Sequence, residues 1–228
     1  MIGIIGSMQV EVDALTNSIK DREEKVISGI IYNSGTIEGK KVVVAKCGIG
    51  KVFAGICTQT MILNYPVECI INIGVAGSLS EKLEITDIAI ASAMVQHDMD
   101  TSAVGDPLGL VSGPNIIEIP CDSILVDKMK ISLNNLSMNG LVGIIATGDQ
   151  FVHKTETKEF IINEFGAIAC EMEGAAIALV SYINNVPCTV LRAISDSANG
   201  SAQMDYPIFM EKAAKRSYML MIDFIKNF

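Results

Sequence analysis

The chain has 228 residues, half of them apolar and 19% charged, with 26 acidic against 17 basic side chains and a net charge of −9. This length suits one domain over residues 1–228 that buries roughly 70–75% of the surface its unfolded form exposes. Acidity without any Lys/Arg cluster excludes the electrostatic footprint of nucleic-acid binding, and the longest apolar runs stop short of the ~18–20 residues that span a membrane.

Met1-Ile2-Gly3-Ile4-Ile5-Gly6-Ser7-Met8 has no basic flank and is followed by Glu11 and Asp13, so 1–5 reads as a first strand and not a signal peptide; cytoplasmic residence is the expectation. Residues 8–19 put Met8, Val12, Leu15 and Ile19 on one helical stripe, with Glu11 beside it and facing a cavity edge. Further strands are expected at 42–46, 69–73, 87–94, 141–146 and 188–194, and further helices at 51–63, 173–183 and 207–226. This alternation predicts a layered α/β domain. The loop 97–115, with Gly105, Pro107, Gly109, Gly113 and Pro114, is the longest irregular stretch, a length that often carries function. Gly3-x-x-Gly6, Gly48-Ile49-Gly50-Lys51 and Gly74-Val75-Ala76-Gly77 each follow a strand and suit tight turns near a ligand. None completes a dinucleotide or Walker A fingerprint.

Six cysteines are scattered, never as Cys-x-x-Cys, and read as small buried hydrophobes of a reducing compartment. Neither histidine, His97 or His153, has a second His or Cys at ligand spacing, so no metal is expected. Without a Gly-x-Ser-x-Gly elbow or a histidine in catalytic context, a Ser-His-Asp hydrolase is excluded. Partners are expected to be small molecules or a second copy of the chain.

Two stretches put carboxylates where the pattern predicts interior: Cys170-Glu171-Met172-Glu173-Gly174, opening a helix, and Leu191-Arg192-Ala193-Ile194-Ser195-Asp196, closing a strand. An ionised carboxylate partly out of water must be paired, hydrogen-bonded or protonated, which suits acid/base chemistry. Helical phase places Glu173 on the stripe with Ala176, Ile177 and Val180. Glu171 falls about 160° away, where it would complement the helix dipole. Arg192 is the one of three arginines in a core strand, and a buried arginine needs a carboxylate or an anionic ligand. With no other arginine or P-loop lysine to hold phosphate, a reaction with water is favoured.

These segments together resemble the 5′-methylthioadenosine/S-adenosylhomocysteine nucleosidases, within the nucleoside phosphorylase superfamily. The resemblance runs nearly end to end. It lies in Ile2-Gly3-Ile4-Ile5-Gly6-Ser7-Met8 with Glu11, Gly48-Ile49-Gly50-Lys51, Asn72-Ile73-Gly74-Val75-Ala76-Gly77, Gly148-Asp149-Gln150-Phe151, Glu171-Met172-Glu173 and Arg192-Ala193-Ile194-Ser195-Asp196. It implies a three-layer fold with a central mixed β-sheet flanked by helices, no cofactor, a homodimer, and a place in methionine salvage. The implied reaction is release of adenine from a 5′-thio-substituted adenosine. On that resemblance Asp196 is the acid at adenine N7, with Ser195 beside it. Glu11 is the base that orients water, and Glu173 binds ribose hydroxyls. Phe151 and the Val152 backbone hold adenine, Met172 packs on the sugar, Arg192 holds the carboxylate and water network, and Met8 and Ile49 line the 5′ end. Tyr206 resembles the lid there, and Thr101, Val104 and Asp106 lie in a loop resembling one donated across a dimer. Val75 departs from a frequent Ser, which implies the loss of a hydroxyl from the water network, and Val104 and Asp106 depart from frequent aromatics, which implies a roomier, more polar 5′ end. Alternatives are a phosphate-dependent purine nucleoside phosphorylase, an aminodeoxyfutalosine hydrolase, and a non-catalytic adenine-nucleoside sensor.

Overall fold

The computed structural model describes residues 1–196 and the final helix from 202, with side chains outside 197–208. In chain order the elements are β1 (Ile2–Gly6), α1 (Gln9–Asn17), β2 (Lys20–Ile27), β3 (Ile30–Ile37), β4 (Lys40–Lys46), α2 (Lys51–Asn64), β5 (Cys69–Ser78), β6 (Ile88–Gln96), β7 (Ile119–Pro120), α3 (Ser123–Asn135), β8 (Gly140–Thr147), α4 (Thr155–Phe165), β9 (Ala169–Glu171), α5 (Gly174–Ile183), β10 (Cys188–Asp196) and α6 (Ala202–Asn227). No described helix is long and apolar enough to cross a membrane.

One mixed sheet runs β10-β6-β8-β9-β5-β1-β4-β3-β2, and a further pairing of β10 with β5 closes β5, β10, β6, β8 and β9 into a ring. β1 is parallel to β4 and β5, and β10 is parallel to β5, whereas β6 and β9 meet β10 and β5 antiparallel. β1, β5 and β10 are buried along their whole length, as the unbroken apolar runs of central strands require. Residues of α1, α3 and α6, such as Leu15, Met129 and Phe224, form one core with one face of the sheet. Residues of α2 and α5, such as Met61 and Ile177, form a second core with the other face, while α4 covers Val152 and Cys170 through Ile161 and Phe165. The expected central mixed sheet between helical layers is the fold observed.

The register brings site residues together. Asp196 pairs with Gly77, which itself pairs with Cys170, and Thr147 lies opposite Glu171. Arg192 pairs with Gly74.

Several details depart from the sequence reading. β2, β3, α3 and α4 were not among the expected elements, and β5 runs on to Ser78, past the expected 73. Consequently Gly74 and Gly77 lie inside a strand, as Gly3 and Gly6 do inside β1; only Gly48 and Gly50 form the expected turn, both with positive φ. The value of Gly74 and Gly77 is space. A Cβ at Gly74 would lie 2.9 Å from Glu11 Oε1, and one at Gly77 would lie 2.7 Å from Asp196 Oδ2.

Candidate active site

A cleft with about 450 Å³ of atom-free space, counted to its open mouth, is lined by residues from the ends of β1, β5, β9 and β10 and from the segments after β4 and β8. Glu11, Glu173 and Asp196 all face it, with Met8, Ile49, Val75, Phe151, Met172 and Ser195. A more spacious depression lies elsewhere, between Pro114 and Tyr182. Its one carboxylate, Asp122, is already engaged in capping α3 through the Leu125 N–H at 2.9 Å. The acid/base groups are in the narrower cleft.

Glu11 enters from the first turn of α1. Its Oε2 accepts the N–H groups of Ser7 at 2.8 Å and Met8 at 2.9 Å and the Ser7 hydroxyl at 3.1 Å; its Oε1 accepts the Val75 N–H at 3.1 Å. Four donors on one carboxylate fix its orientation although the residue is buried. The expectation that Glu11 meets a cavity edge is borne out.

Asp196 ends β10, buried beside Gly77. Ser195 Oγ lies 2.9 Å from Asp196 Oδ1 and 3.3 Å from the Ala76 carbonyl, so the serine hydroxyl steers the carboxyl group.

The expected helical phase of Glu171 is overturned, while Glu173 is buried as its place beside Ala176 and Ile177 required. α5 starts only at Gly174 with Glu173 as its N-cap, and Glu171 belongs to β9. Glu171 is therefore buried, not exposed on an outer face. It accepts the N–H of Glu173 at 3.0 Å and that of Gly174 at 2.8 Å, satisfying the free donors of the helix start. It also pairs with Arg192 and accepts the hydroxyl of Thr147, which in turn accepts the Ala175 N–H at 2.8 Å. Arg192 completes its set with Asn72 Oδ1 at 2.5 Å and the Leu191 carbonyl at 3.0 Å. Burial works against its charge, but Glu171, Glu173 and Glu11 outweigh it, and the guanidinium is held more firmly protonated than usual. Sequence reasoning found the need for an acid partner to Arg192 and missed which acid. Thr147 and Asn72 were missed as well, each a polar residue in an otherwise apolar strand.

Glu173 accepts the Gly50 N–H at 2.7 Å. Burial above all, then the charges of Glu171 and Glu11, push its carboxyl up to about 7, against the opposing pull of Arg192 and the Gly50 N–H.

Ile49 and Phe151 stand half exposed at the mouth, and Val152 lines a small recess beside it with Phe151, Met172 and Asp196. Thr101, Val104 and Asp106 do not line the cleft of their own chain: Thr101 donates to Asp106 at 2.8 Å, and Val104 is 82% exposed. Tyr206 lies in α6, and its side chain is outside the described residues.

Fold and cleft together define an α/β protein with three buried carboxylates, Glu11, Glu173 and Asp196, gathered on one cleft at the ends of its strands. The chain belongs to the phosphorylase superfamily, whose family model matches residues 1–226. It is similar to the aminodeoxyfutalosine nucleosidase of Helicobacter pylori, 41% identical over 217 residues, which are 95% of this chain and 94% of that protein. It is also similar to the 5′-methylthioadenosine/S-adenosylhomocysteine nucleosidase of Shewanella loihica, 38% identical over 228 residues and 99% of each chain. A crystal structure of a mutant Helicobacter pylori enzyme with 5′-methylthioadenosine in the active site matches with a TM-score of 0.95 at 38% identity, covering 100% of this chain and 98% of that one.

Proposed function

We propose that this chain, acting as a single domain, hydrolyses the N-glycosidic bond of 5′-methylthioadenosine and S-adenosylhomocysteine, releasing adenine and the 5-thio-substituted ribose. The observation that carries this reading is the convergence of Glu11, Glu173 and Asp196 on one cleft that no arginine lines among the described residues; Arg192 is bound to Glu171 and Asn72. Phosphate would find no free guanidinium there, whereas water needs only a carboxylate to orient it.

In the reaction the C1′–N9 bond breaks and its electron pair leaves with adenine. Asp196 gives a proton to N7, steered by Ser195, which makes adenine a better leaving group. Glu173 binds the ribose hydroxyls, and its negative charge stabilises the cationic sugar as it forms. Glu11 takes a proton from water as the oxygen bonds to C1′, the role a carboxylate plays in glycoside hydrolysis generally. Phe151 stacks on adenine, the Val152 backbone reads its edge, Met172 packs on the sugar, and Met8 and Ile49 line the 5′ end; Tyr206, the lid candidate, has its side chain outside the described residues. Arg192 acts on the cleft through Glu171.

The protein works in the cytoplasm, in methionine salvage, as a homodimer in which Thr101, Val104 and Asp106 approach the partner's cleft. Support for the dimer comes from the outer face of α2, where Val52, Phe53, Ile56 and Leu63 are exposed. A 5′-aminodeoxyfutalosine activity is the second reading. It is favoured by the relative at 41% identity.

Adenine release from 5′-methylthioadenosine, followed with and without phosphate, tests the proposal. Turnover independent of phosphate is expected; strict dependence on phosphate would replace the reading with a phosphorylase. Competition between methylthioadenosine and aminodeoxyfutalosine separates the two substrates.

A further inference from the structure

Lys51 has no part in the chemistry above, yet it closes the Gly48-Ile49-Gly50-Lys51 turn and heads α2. Its ammonium lies 2.5 Å from Asp98 Oδ1 and 3.9 Å from Asp149 Oδ2. Its backbone N–H donates to Asp149 Oδ1 at 2.8 Å, and the Asp149 N–H donates to Asp98 Oδ2 at 2.9 Å. The three residues close a ring of hydrogen bonds.

Each member stands on a different segment: Lys51 after β4, Asp98 after β6, and Asp149 after β8. Each segment carries recognition groups within a few residues. Ile49 and Gly50, the donor to Glu173, precede Lys51; Thr101, Val104 and Asp106 follow Asp98; Phe151 and Val152 follow Asp149. The loops come close by construction, since Gly50 has φ +95° and a Cβ there would lie 3.1 Å from Asp149 Oδ1.

The side chains of Lys51 and Asp98 are only 20% and 22% exposed, so the pair is screened less than a surface bridge. Burial opposes the charge of Asp98. The Lys51 ammonium and the Asp149 N–H outweigh it and hold the carboxyl below the usual range. The strands beneath are held by their own ladders and by the two helical layers, so the ring joins loops and not the core.

We propose that Lys51, Asp98 and Asp149 form a clasp that fixes the spacing of the three loops around the bound nucleoside, with Lys51 and Asp98 as positioning residues for recognition of the base and the 5′ group. The inference rests on reading the cleft as a nucleoside site. Without the clasp, binding itself must order the loops, which weakens association. The groups that break the bond sit on α1, β10 and the start of α5 and keep their places.

Steady-state kinetics on 5′-methylthioadenosine test this with Lys51→Met, Asp98→Asn, the double variant and Lys51→Arg, alongside thermal unfolding. Each single loss is expected to raise KM about tenfold while kcat stays within about threefold, the signature of lost ground-state positioning. The double variant should be no worse than either single, because both remove one interaction. Lys51→Arg should restore most of the affinity. An unchanged KM in folded variants, whatever their melting temperature, overturns the clasp, as do fully additive effects. Asp98→Asn keeps an acceptor for the Asp149 N–H and carries the test if Lys51→Met does not fold. Failure of both to fold overturns the claim that the ring lies outside the core. A wild-type chain that cleaves no adenine nucleoside takes down the functional reading and the clasp with it; a cleaving wild type with unaffected variants takes down the clasp alone.

Discussion

Arg192 gives its guanidinium to Glu171, while Glu173, two residues on, receives a backbone donor, the Gly50 N–H at 2.7 Å. Three carboxylates, Glu171, Glu173 and Glu11, thus stand near one cation, and Glu173 is not its direct partner. That division of labour sets the protonation of the site, because burial and the neighbouring charges move Glu173 up to about 7.

Activity should therefore depend on pH through Glu173. Protonated below about 7, it offers no charge to the forming cationic sugar; ionised above, it does. kcat/KM is expected to rise with pH through about 7 and then level, and Glu173→Gln should abolish that rise and lower the plateau ~10²-fold or more. A pH profile from 5 to 9 on both proteins decides it; the same rise persisting in the variant assigns the ionisation elsewhere.

Stability carries the same group with a definite sign. The folded value of about 7 lies above the ordinary 4.5, so between them the folded state holds more protons than the unfolded one and stability falls as pH rises. The contribution is whole below about 4.5 and lost above about 7. Glu173→Gln escapes this loss, so its melting temperature relative to wild type should climb from pH 5 to pH 8, by up to roughly 3 kcal/mol in stability terms. A difference that stays flat with pH counts against a raised Glu173.

Glu171 should prove essential to folding. Glu171→Ala strands a buried guanidinium and frees the donors at the start of α5, a combination expected to cost about 3–5 kcal/mol and to lower the melting temperature by ~10 °C. Glu171→Gln, which retains an acceptor, should cost less. Thermal unfolding of both measures this, and an unshifted Glu171→Ala would remove Glu171 from the centre of the network.

How much of this was legible in the sequence depends on the kind of signal. The unbroken apolar strands β1, β5 and β10 announced themselves, and Glu11 fell where helical spacing put it. β2 did not, because Lys20–Ile27 is charged and exposed on both faces and has no buried alternation to read. α3 is legible in Leu125, Val126, Met129 and Leu133 at helical spacing, although it is not among the expected helices. Glu171 failed for a sharper reason. β9 is a three-residue strand, too short for periodicity, so its last residue was phased as part of the helix that starts three residues later. The glycine runs of β1 and β5 resemble turns because glycine is rare in strands; the side chains that Gly74 and Gly77 make room for, Glu11 and Asp196, come from distant parts of the chain.

Gly77 offers a test of that last point. A methyl group there would sit 2.7 Å from Asp196 Oδ2 and 3.4 Å from its Cγ, so Gly77→Ala must push the carboxyl aside. Displacing a catalytic group by a fraction of its reach costs ~10-fold or more in turnover, while the strand ladder survives. A fall in kcat with a melting temperature lowered by only a few degrees is expected. Full activity would place the proton donor elsewhere.

Asp196 itself is the most direct test. Asp196→Asn keeps the shape of the side chain and an acceptor for Ser195 but removes the acid. If adenine departs as the protonated base, turnover of 5′-methylthioadenosine should fall by ~10²–10⁴-fold, the usual scale of general-acid catalysis. Affinity for the unreacted nucleoside should hardly change, since the ribose contacts proposed for Glu173 and the stacking proposed for Phe151 do not involve the altered group. Kinetics paired with equilibrium binding of methylthioadenosine to the variant separate the two effects. Loss of binding with turnover intact per bound complex would make Asp196 a recognition residue. A wild-type chain that binds tightly and never turns over would make the whole cleft a sensor.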